Sequence, residues 1–412
     1  MSDGLDAEPG ALGVIAEYNP FHNGHLYHLE TARALARAET AVAVMSGDFV
    51  QRGEPALFDK WERAEAAVRN GLDLVVELPF LYACNSAERF AKGAVRLLSA
   101  MGCVSHVAFG SEAGEIGPLD SLARLLADEP ESFRARLRAA SRSGLSFPRA
   151  RHEAVRAALG DEAADLLKSP NNILAVEYLK QLRLVGGAAR IRPLTFKRRG
   201  AGYFGASPCD NTAGSSALRG LLLSGRADEA ARYMPEAALP RARHGPMGID
   251  GFFPLIACAA RVRGADELAE TLSASEGLEN RLKRALDGAS DMASLIAGVK
   301  SKRYTETRVK RFLIHVLMNV RKADFSRIDE AGASYFRVLA MNGRGRRLLR
   351  RMAGAQGGAA ALSSLGRRAP LPWAAEAMLG YDLLAADIYN LVRDGGMAEA
   401  SDFRRRPYCA AD

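Results

Sequence analysis

The stretch that decides the fold lies near the start of the chain: GVIAEYNPFHNGHLYHLETA, residues Gly13 to Ala32. A short apolar run leads into a turn rich in asparagine, proline and glycine, and the residues that follow have helical periodicity. Three of the seven histidines, His22, His25 and His28, fall within this segment. The pattern predicts a β-strand that ends in a polar turn and continues as an α-helix.

Three chemistries would place histidines at such a turn. A zinc site is not favoured, because no cysteine or carboxylate lies at a ligand spacing. Histidines that only cap the helix are the structural alternative. The third is nucleotide binding, since Gly24 lets a ligand approach the backbone and the free amide groups of a helix start attract phosphate. In that interpretation, which we favour, His22 and His25 donate hydrogen bonds to charge that builds on an α-phosphate.

The first half of the chain alternates between short apolar runs and amphipathic helical segments. The runs predicted as strands are LGVIAEY, TAVAVMSG, LDLVVELP and VSHVAFGSE. Strands this apolar, separated by helices, favour a parallel sheet that is covered on both faces. A cluster of polar residues follows each strand, and the carboxyl ends of parallel strands meet at one edge of a sheet. The clusters are therefore predicted to form one pocket.

The second half has a different composition. It is rich in alanine, leucine and arginine, with helical periodicity and almost no strand signal after about Tyr233. We therefore predict an ATP-binding catalytic domain over residues 1–235 and a helical, basic domain over residues 250–412. Two basic runs, KSKRYTETRVKR and RGRRLLRR, lie in the second domain and predict an RNA-binding surface. From the first run we select Arg303, Arg308 and Arg311.

Bulk composition is consistent with a globular protein that contacts a polyanion. The 412 residues carry 56 basic and 48 acidic side chains, a formal net charge of +8. The five cysteines are scattered and form no CxxC pair, so neither a disulfide framework nor a thiolate zinc site is indicated. No apolar run is long enough to span a membrane, and the start lacks the features of a signal peptide. We expect a cytoplasmic protein.

The HNGH sequence has the HxGH form found in the nucleotidylyl-transferase superfamily, and neither a P-loop nor a GxGxxG motif is present. Further motifs follow in order: SGDFVQRGEPALFDKWERA, DLVVELP, FGSE, SPNNILAVEYLKQL and KRRGAGY. Together with AEYNPFHNGHLYHL they resemble the bacterial tRNA-Met cytidine acetate ligase family. The resemblance implies a Rossmann-like nucleotidylyl-transferase domain with a parallel sheet, followed by a mainly α-helical domain.

The resemblance also implies an activity. The family uses ATP to convert acetate to acetyl-adenylate, releasing pyrophosphate, and then acetylates the wobble cytidine of elongator tRNA-Met to N4-acetylcytidine. By motif position His22 and His25 are catalytic, and Gly110, Arg198 and either Asn171 or Asn172 contact ATP. The remaining implied ATP contacts are the consecutive residues Ile15, Ala16, Glu17, Tyr18, Asn19, Pro20, Phe21, His22, Asn23, Gly24, His25, Leu26, Tyr27 and His28.

Two positions differ from the family pattern. Asp48 stands where the family usually has asparagine, and a carboxylate there repels phosphate unless it is paired or bound to a cation such as Mg²⁺. The stretch TAGSSALR, with Ser216 and Arg219, matches a family segment only loosely. Two other functions therefore stay open: a nucleotidylyl transferase for a small metabolite, and an RNA-binding protein with a degenerate nucleotide site.

Overall fold

The computed structural model describes residues 10–186, 191–198, 213–239, 245–332, 335–353, 359–366, 368–396 and 402–411. Most of the KRRGAGY motif, from residue 199 onward, lies outside the described residues. The strands are β1 (Ala11–Ala16), β2 (Ala41–Ser46), β3 (Phe49–Val50), β4 (Glu54–Pro55), β5 (Leu74–Leu78), β6 (Val104–Ser111), β7 (Arg192–Lys197), β8 (Tyr335–Met341), β9 (Ala360–Leu362) and β10 (Tyr408–Cys409).

The helices lie between and after these strands. Those of the first half are α1 (Asn23–Ala36), α2 (Lys60–Arg69), α3 (Phe80–Ala83), α4 (Ala87–Ala100), α5 (Ile116–Asp128), α6 (Glu131–Arg142), α7 (Phe147–Leu159), α8 (Asp161–Leu166) and α9 (Pro170–Val185). Those that follow are α10 (Ser215–Leu223), α11 (Ala227–Ala231), α12 (Phe253–Val262), α13 (Ala265–Ala269), α14 (Leu278–Leu286), α15 (Met292–Val299), α16 (Glu306–Leu317), α17 (Lys322–Ala331), α18 (Gly343–Ala353) and α19 (Trp373–Asp394).

Within the described residues one sheet has eight strands, in the order β10–β8–β5–β2–β1–β6–β7 with β9 beside β8. Neighbours run parallel except β5 and β8, which are antiparallel. β3 and β4 form a separate hairpin. The chain places β2 and β5 on one side of β1, and β6 and β7 on the other. Strand order thus reverses at β1 and β6, which is where open parallel sheets bind ligands beyond their carboxyl ends.

The apolar strands are buried because helices cover both faces of the sheet. Every residue of β2 and β5 is buried. One face packs against α1 and α2 through residues such as Leu29 and Trp61, and the other packs against α4 and α9 through residues such as Leu98 and Val176. The predicted parallel sheet, its first four strands and its covering helices are confirmed.

The expectation of an almost strand-free second half is wrong. Strands β8, β9 and β10 come from that half, and β8 and β10 extend the sheet beyond β5. The run YFRVLAM of β8 contains Arg337, a charge that breaks the apolar pattern. Its side chain is nevertheless fully buried, donating to the Asp402 carbonyl at 3.1 Å and lying 5.1 Å from the Trp61 ring. The division into domains 1–235 and 250–412 stays a prediction.

Candidate active site

The turn between β1 and α1 holds His22 at the start of the helix. His22 is the N-cap residue, and its Nδ1 accepts a hydrogen bond of 3.0 Å from the Gly24 amide. Because the amide can only donate, the neutral ring carries its proton on Nε2, which donates to Ser215 Oγ at 3.1 Å. A Cβ on residue 24 would lie 2.9 Å from the His22 ring, so glycine is needed for this cap.

His25 stacks on His22, one turn into the helix. The ring centroids are 3.8 Å apart with an interplanar angle of 27°. Tyr18 meets the same ring edge-on at 5.0 Å, and within the described part of the chain His25 Nδ1 has no hydrogen-bond partner. Such an unpaired buried polar atom is costly unless a ligand satisfies it. His25 Nδ1 is therefore an atom of this turn that a bound ligand would satisfy.

Burial keeps these histidines uncharged. It lowers the pKa of His22 to about 3 and of His28 to about 4, with the positive charge of Arg198 as the second cause. Burial also holds the pKa of His25 well below its usual range. A phosphate placed against the rings would favour their protonated forms. The pair can thus respond to negative charge that arrives with a ligand.

Gly110 lies on β6, and Arg198 directly follows the neighbouring strand β7. Ser111 pairs with Lys197 at the carboxyl ends of these strands, which brings Arg198 beside Gly110. A Cβ on residue 110 would lie 2.8 Å from Arg198 Cγ and 3.7 Å from His28 Cδ2. Gly110 therefore leaves the space that the Arg198 side chain occupies, and the two predicted positions meet at one edge of the sheet.

The two asparagines of the PNN turn have different surroundings. Asn172 is buried, and its Oδ1 accepts from the amides of Glu112 and Ala113 at 3.0 and 3.1 Å. Asn171 is half-buried, and its Oδ1 accepts from Arg198 Nη1 at 3.0 Å. Asn172 thus holds the turn after β6, whereas Asn171 holds the arginine. Sequence alone left this choice open.

Helix α10 brings a second helix start to the histidines. Its first residue, Ser215, is the partner of His22, whereas Ser216 is exposed and Arg219 pairs with Glu54. The N-termini of α1 and α10 therefore converge, and both present positive ends of backbone dipoles. From the sequence, Ser216 and Arg219 are only a loose match to the family segment, and Ser215 is not singled out. The helix start after a glycine was the available signal.

Much of the predicted ATP segment supports the turn from inside. Tyr18, Asn19, Pro20 and Phe21 are buried, and the Asn19–Pro20 peptide is cis. Asn19 Oδ1 accepts from the Leu57 amide at 2.8 Å. Ile15, Ala16 and Glu17 are half-buried at the end of β1, as are Asn23, Leu26 and Tyr27 at the start of α1. Which of these residues touch ATP stays a prediction.

A family model described as HIGH Nucleotidyl Transferase matches residues 10–402. Proteins described as tRNA(Met) cytidine acetate ligase from Thermoanaerobacter sp. (strain X514) and Syntrophotalea carbinolica are 37% and 39% identical, over 96% of this chain and 98% of each relative. The chain belongs to the tRNA(Met) cytidine acetate ligase family.

Solved structures of this ligase family agree with the assignment. Crystal structures of Thermotoga maritima TmcAL, one apo and one bound with α-thio ATP, give TM-scores of 0.91 and 0.90 at 31% identity. Each match covers 98% of this chain and 100% of the other. The family resemblance and the fold class inferred from the motifs are confirmed. Among the described residues, no helix is both long enough and apolar enough to span a membrane.

Asp48, which departs from the pattern expected for this ligase family, is paired inside the protein. Its Oδ1 accepts from the Lys60 amide at 2.9 Å, and its Oδ2 lies 3.7 Å from Lys60 Nζ. Lys60 Nζ also contacts Asp402 at 2.6 Å and Glu77 at 3.0 Å. The Lys60 ammonium already supplies the positive charge that these three carboxylates share, so they do not fit a Mg²⁺ site. We derive no metal-dependent step through Asp48.

The three arginines predicted to bind RNA in this ligase family member have different environments. Arg303 is exposed, with Glu276 at 3.5 Å. Arg308 donates to Ser275 Oγ and lies over the Tyr304 ring at 5.3 Å. Arg311 donates to the carbonyl of residue 51 at 3.0 Å, so it holds α16 against the segment after β2. The first basic run is therefore next to the edge of the sheet that carries the histidines.

The second basic run lies at the other end of the sheet. Helix α18 begins beside Asp73, which precedes β5, and Arg344 donates to the Glu39 carbonyl ahead of β2 at 3.3 Å. Arg346, Arg347 and Arg350 are exposed. Parallel strands carry their active residues at the opposite, carboxyl edge. In this ligase family member the two basic runs thus do not form one continuous surface beside the histidines.

Proposed function

We propose that the chain uses ATP and acetate to acetylate the wobble cytidine of elongator tRNA-Met. An acetate oxygen attacks the α-phosphorus of ATP, the bond to the β-phosphate oxygen breaks, and pyrophosphate leaves. The cytidine N4 amine then attacks the acetyl carbon, AMP leaves with the bonding electrons, and N4 loses a proton. The observation that carries the proposal is the stacked His22–His25 pair at two converging helix starts.

The residues act by position and charge. The pair faces the charge that builds on the α-phosphate, where a donor fixed in advance stabilises the transition state more than the ground state. Arg198 supplies a planar, permanently charged donor for the polyphosphate. Gly110 keeps its path open. No covalent protein intermediate is required, since orientation and electrostatic stabilisation suffice for such transfers.

Two alternatives are less well supported. A transferase that acts on a small metabolite would not account for the basic residues in the helical half of the chain. A degenerate nucleotide site was suggested by Asp48, but that carboxylate pairs with Lys60 and does not face the histidines as a free charge. The nucleotide side of the proposal is supported by the α-thio ATP bound to the Thermotoga maritima relative.

Pyrophosphate exchange into ATP tests the first half-reaction. We expect exchange of labelled pyrophosphate only when acetate is present, without any need for tRNA, because adenylation precedes transfer. Exchange that requires a different acid or a phosphorylated metabolite would favour the transferase. Absence of exchange with folded, ATP-binding protein would favour the degenerate site.

Salt-dependent tRNA binding tests the role of the first basic run. Lys302 and Arg303 are exposed, so replacing both with alanine should lower tRNA affinity and flatten its salt dependence by roughly one unit per lost phosphate contact. Arg311 is left intact because it holds α16 in place. The control is Arg346→Ala with Arg347→Ala on α18, for which we expect unchanged affinity. Equal losses in both pairs would contradict the assignment of RNA binding to the first run.

A further inference from the structure

The carboxylate of Glu112 binds the start of α9. It follows β6 in the FGSE motif, and its Oε2 accepts from the Asn172 amide at 2.8 Å while its Oε1 accepts from Asn171 Nδ2 at 2.7 Å. These groups belong to the first turn of α9, where Ser169, the local cap, makes no side-chain hydrogen bond. A residue distant in sequence thus places a negative charge at the helix start, where the backbone dipole favours it.

The side-chain amide of Asn171 connects this carboxylate to Arg198 through two hydrogen bonds. An ionised carboxylate only accepts, so the amide of Asn171 must direct its NH₂ group to Glu112. Its oxygen is then directed to Arg198 Nη1, at 3.0 Å. If the amide were reversed, its NH₂ group would face the guanidinium, which also only donates. The carboxylate therefore fixes which atom of Asn171 the arginine meets.

We propose that Glu112 is a positioning residue that sets the orientation of Arg198 through Asn171, and thereby the affinity of the site for ATP. The inference rests on the proposed function only in taking Arg198 as an ATP contact. In return, the backbone amides of Glu112 and Ala113 donate to Asn172 Oδ1, which anchors the backbone that carries the carboxylate. Glu112 itself touches neither ATP nor acetate in this scheme.

The decisive variant is Glu112→Gln, which keeps the size of the side chain but adds a donor. If its oxygen stays on the Asn172 amide, its NH₂ group faces Asn171, whose amide must turn and present a donor to Arg198. We expect ATP to bind about 10- to 100-fold more weakly, which corresponds to loss of a charge-assisted hydrogen bond. The KM for ATP in exchange should rise by a similar factor, with kcat changed less.

A second substitution should restore a hydrogen-bond acceptor opposite Arg198. In Glu112→Gln combined with Asn171→Asp, residue 171 accepts from residue 112 and from Arg198, so ATP affinity should return to within a few-fold of the parent. Asn171→Asp alone sets two carboxylates together and should bind ATP weakly. The matched control is Glu115→Gln, which removes an exposed charge nearby without entering these hydrogen bonds.

Calorimetric titration with ATP measures affinity, and thermal unfolding shows that each variant is folded. Unchanged ATP affinity in folded Glu112→Gln, or a double variant no better than the weaker single variant, would overturn the proposal. Because ATP binding is measured without acetate or tRNA, its outcome is separate from the outcome for the acetylation reaction. Parent protein that binds ATP but shows no acetate-dependent exchange would reject the proposed function alone.

Discussion

Replacing His25 by alanine is expected to lower acetate-dependent pyrophosphate exchange by about 100- to 1000-fold, with a smaller effect on ATP affinity. His25 Nδ1 is buried without a hydrogen-bond partner among the described residues, and in the proposed function the ring acts on charge that develops only in the transition state. His22→Asn should have an effect of the same order. Asparagine can still cap α1, so this variant removes the Nε2 donor without removing the helix cap.

The measurement is the exchange rate at saturating ATP beside thermal unfolding of each variant. His152→Ala is the matched control, because His152 lies on α7 beside Asp165 and outside the site. Its exchange rate should equal that of the parent. Near-parental exchange in both His25→Ala and His22→Asn would show that the stacked pair has no part in adenylation.

Replacing Lys60 by methionine is expected to lower the free energy of unfolding by about 3–5 kcal/mol near neutral pH. Lys60 is fully buried, and its ammonium is the shared partner of Asp48, Glu77 and Asp402. Burial raises the pKa of Glu77, and the Lys60 charge opposes that rise. Without the lysine the remaining carboxylates lose their counter-charge in a buried setting.

The pH dependence of this loss has a definite sign. Burial raises the pKa values of Asp48 and Glu77, and removing the ammonium, which lowers both, raises them further above their unfolded values. The folded variant then binds protons more tightly than the unfolded chain, so acid favours its folded form relative to the parent. The difference between variant and parent should therefore shrink as pH falls from 7.5 to 5.5, as measured by urea unfolding at both values.

Asp48→Asn is the matched control for the lysine variant. Its amide oxygen still accepts from the Lys60 backbone amide, and two acids remain to balance the ammonium. We expect a change below about 1 kcal/mol and an unaltered Mg²⁺ dependence of exchange. A Lys60→Met loss as small as that of Asp48→Asn would mean that the buried charges contribute little to stability.

The parts predicted well from sequence are those with local signals. The β1–turn–α1 unit is contiguous, so its apolar run, its glycine and its histidines indicated both the structure and the chemistry. The alternation of apolar runs with amphipathic helices indicated the parallel sheet in the same way. Gly110 and Arg198 were taken from motif positions, and the structure brings them together at the ends of paired strands.

The parts that were missed depend on contacts between distant residues. Ser215 meets His22 across 193 positions, and nothing in TAGSSALR places its helix start beside α1. Asp402 reaches Lys60 from the end of the chain. Strand β8 was missed because Arg337 breaks its apolar pattern, and only tertiary partners make that burial tolerable. The local periodicity of a sequence does not reveal such distant partners.

The most direct test is transfer of isotopically labelled acetate to elongator tRNA-Met. The protein is incubated with ATP, labelled acetate and the tRNA, and the nucleosides are separated after digestion. We predict labelled N4-acetylcytidine at the wobble position, dependent on ATP and absent from a tRNA whose wobble cytidine is replaced by uridine. Folded protein that gives no labelled N4-acetylcytidine, or gives it equally without ATP, would contradict the account.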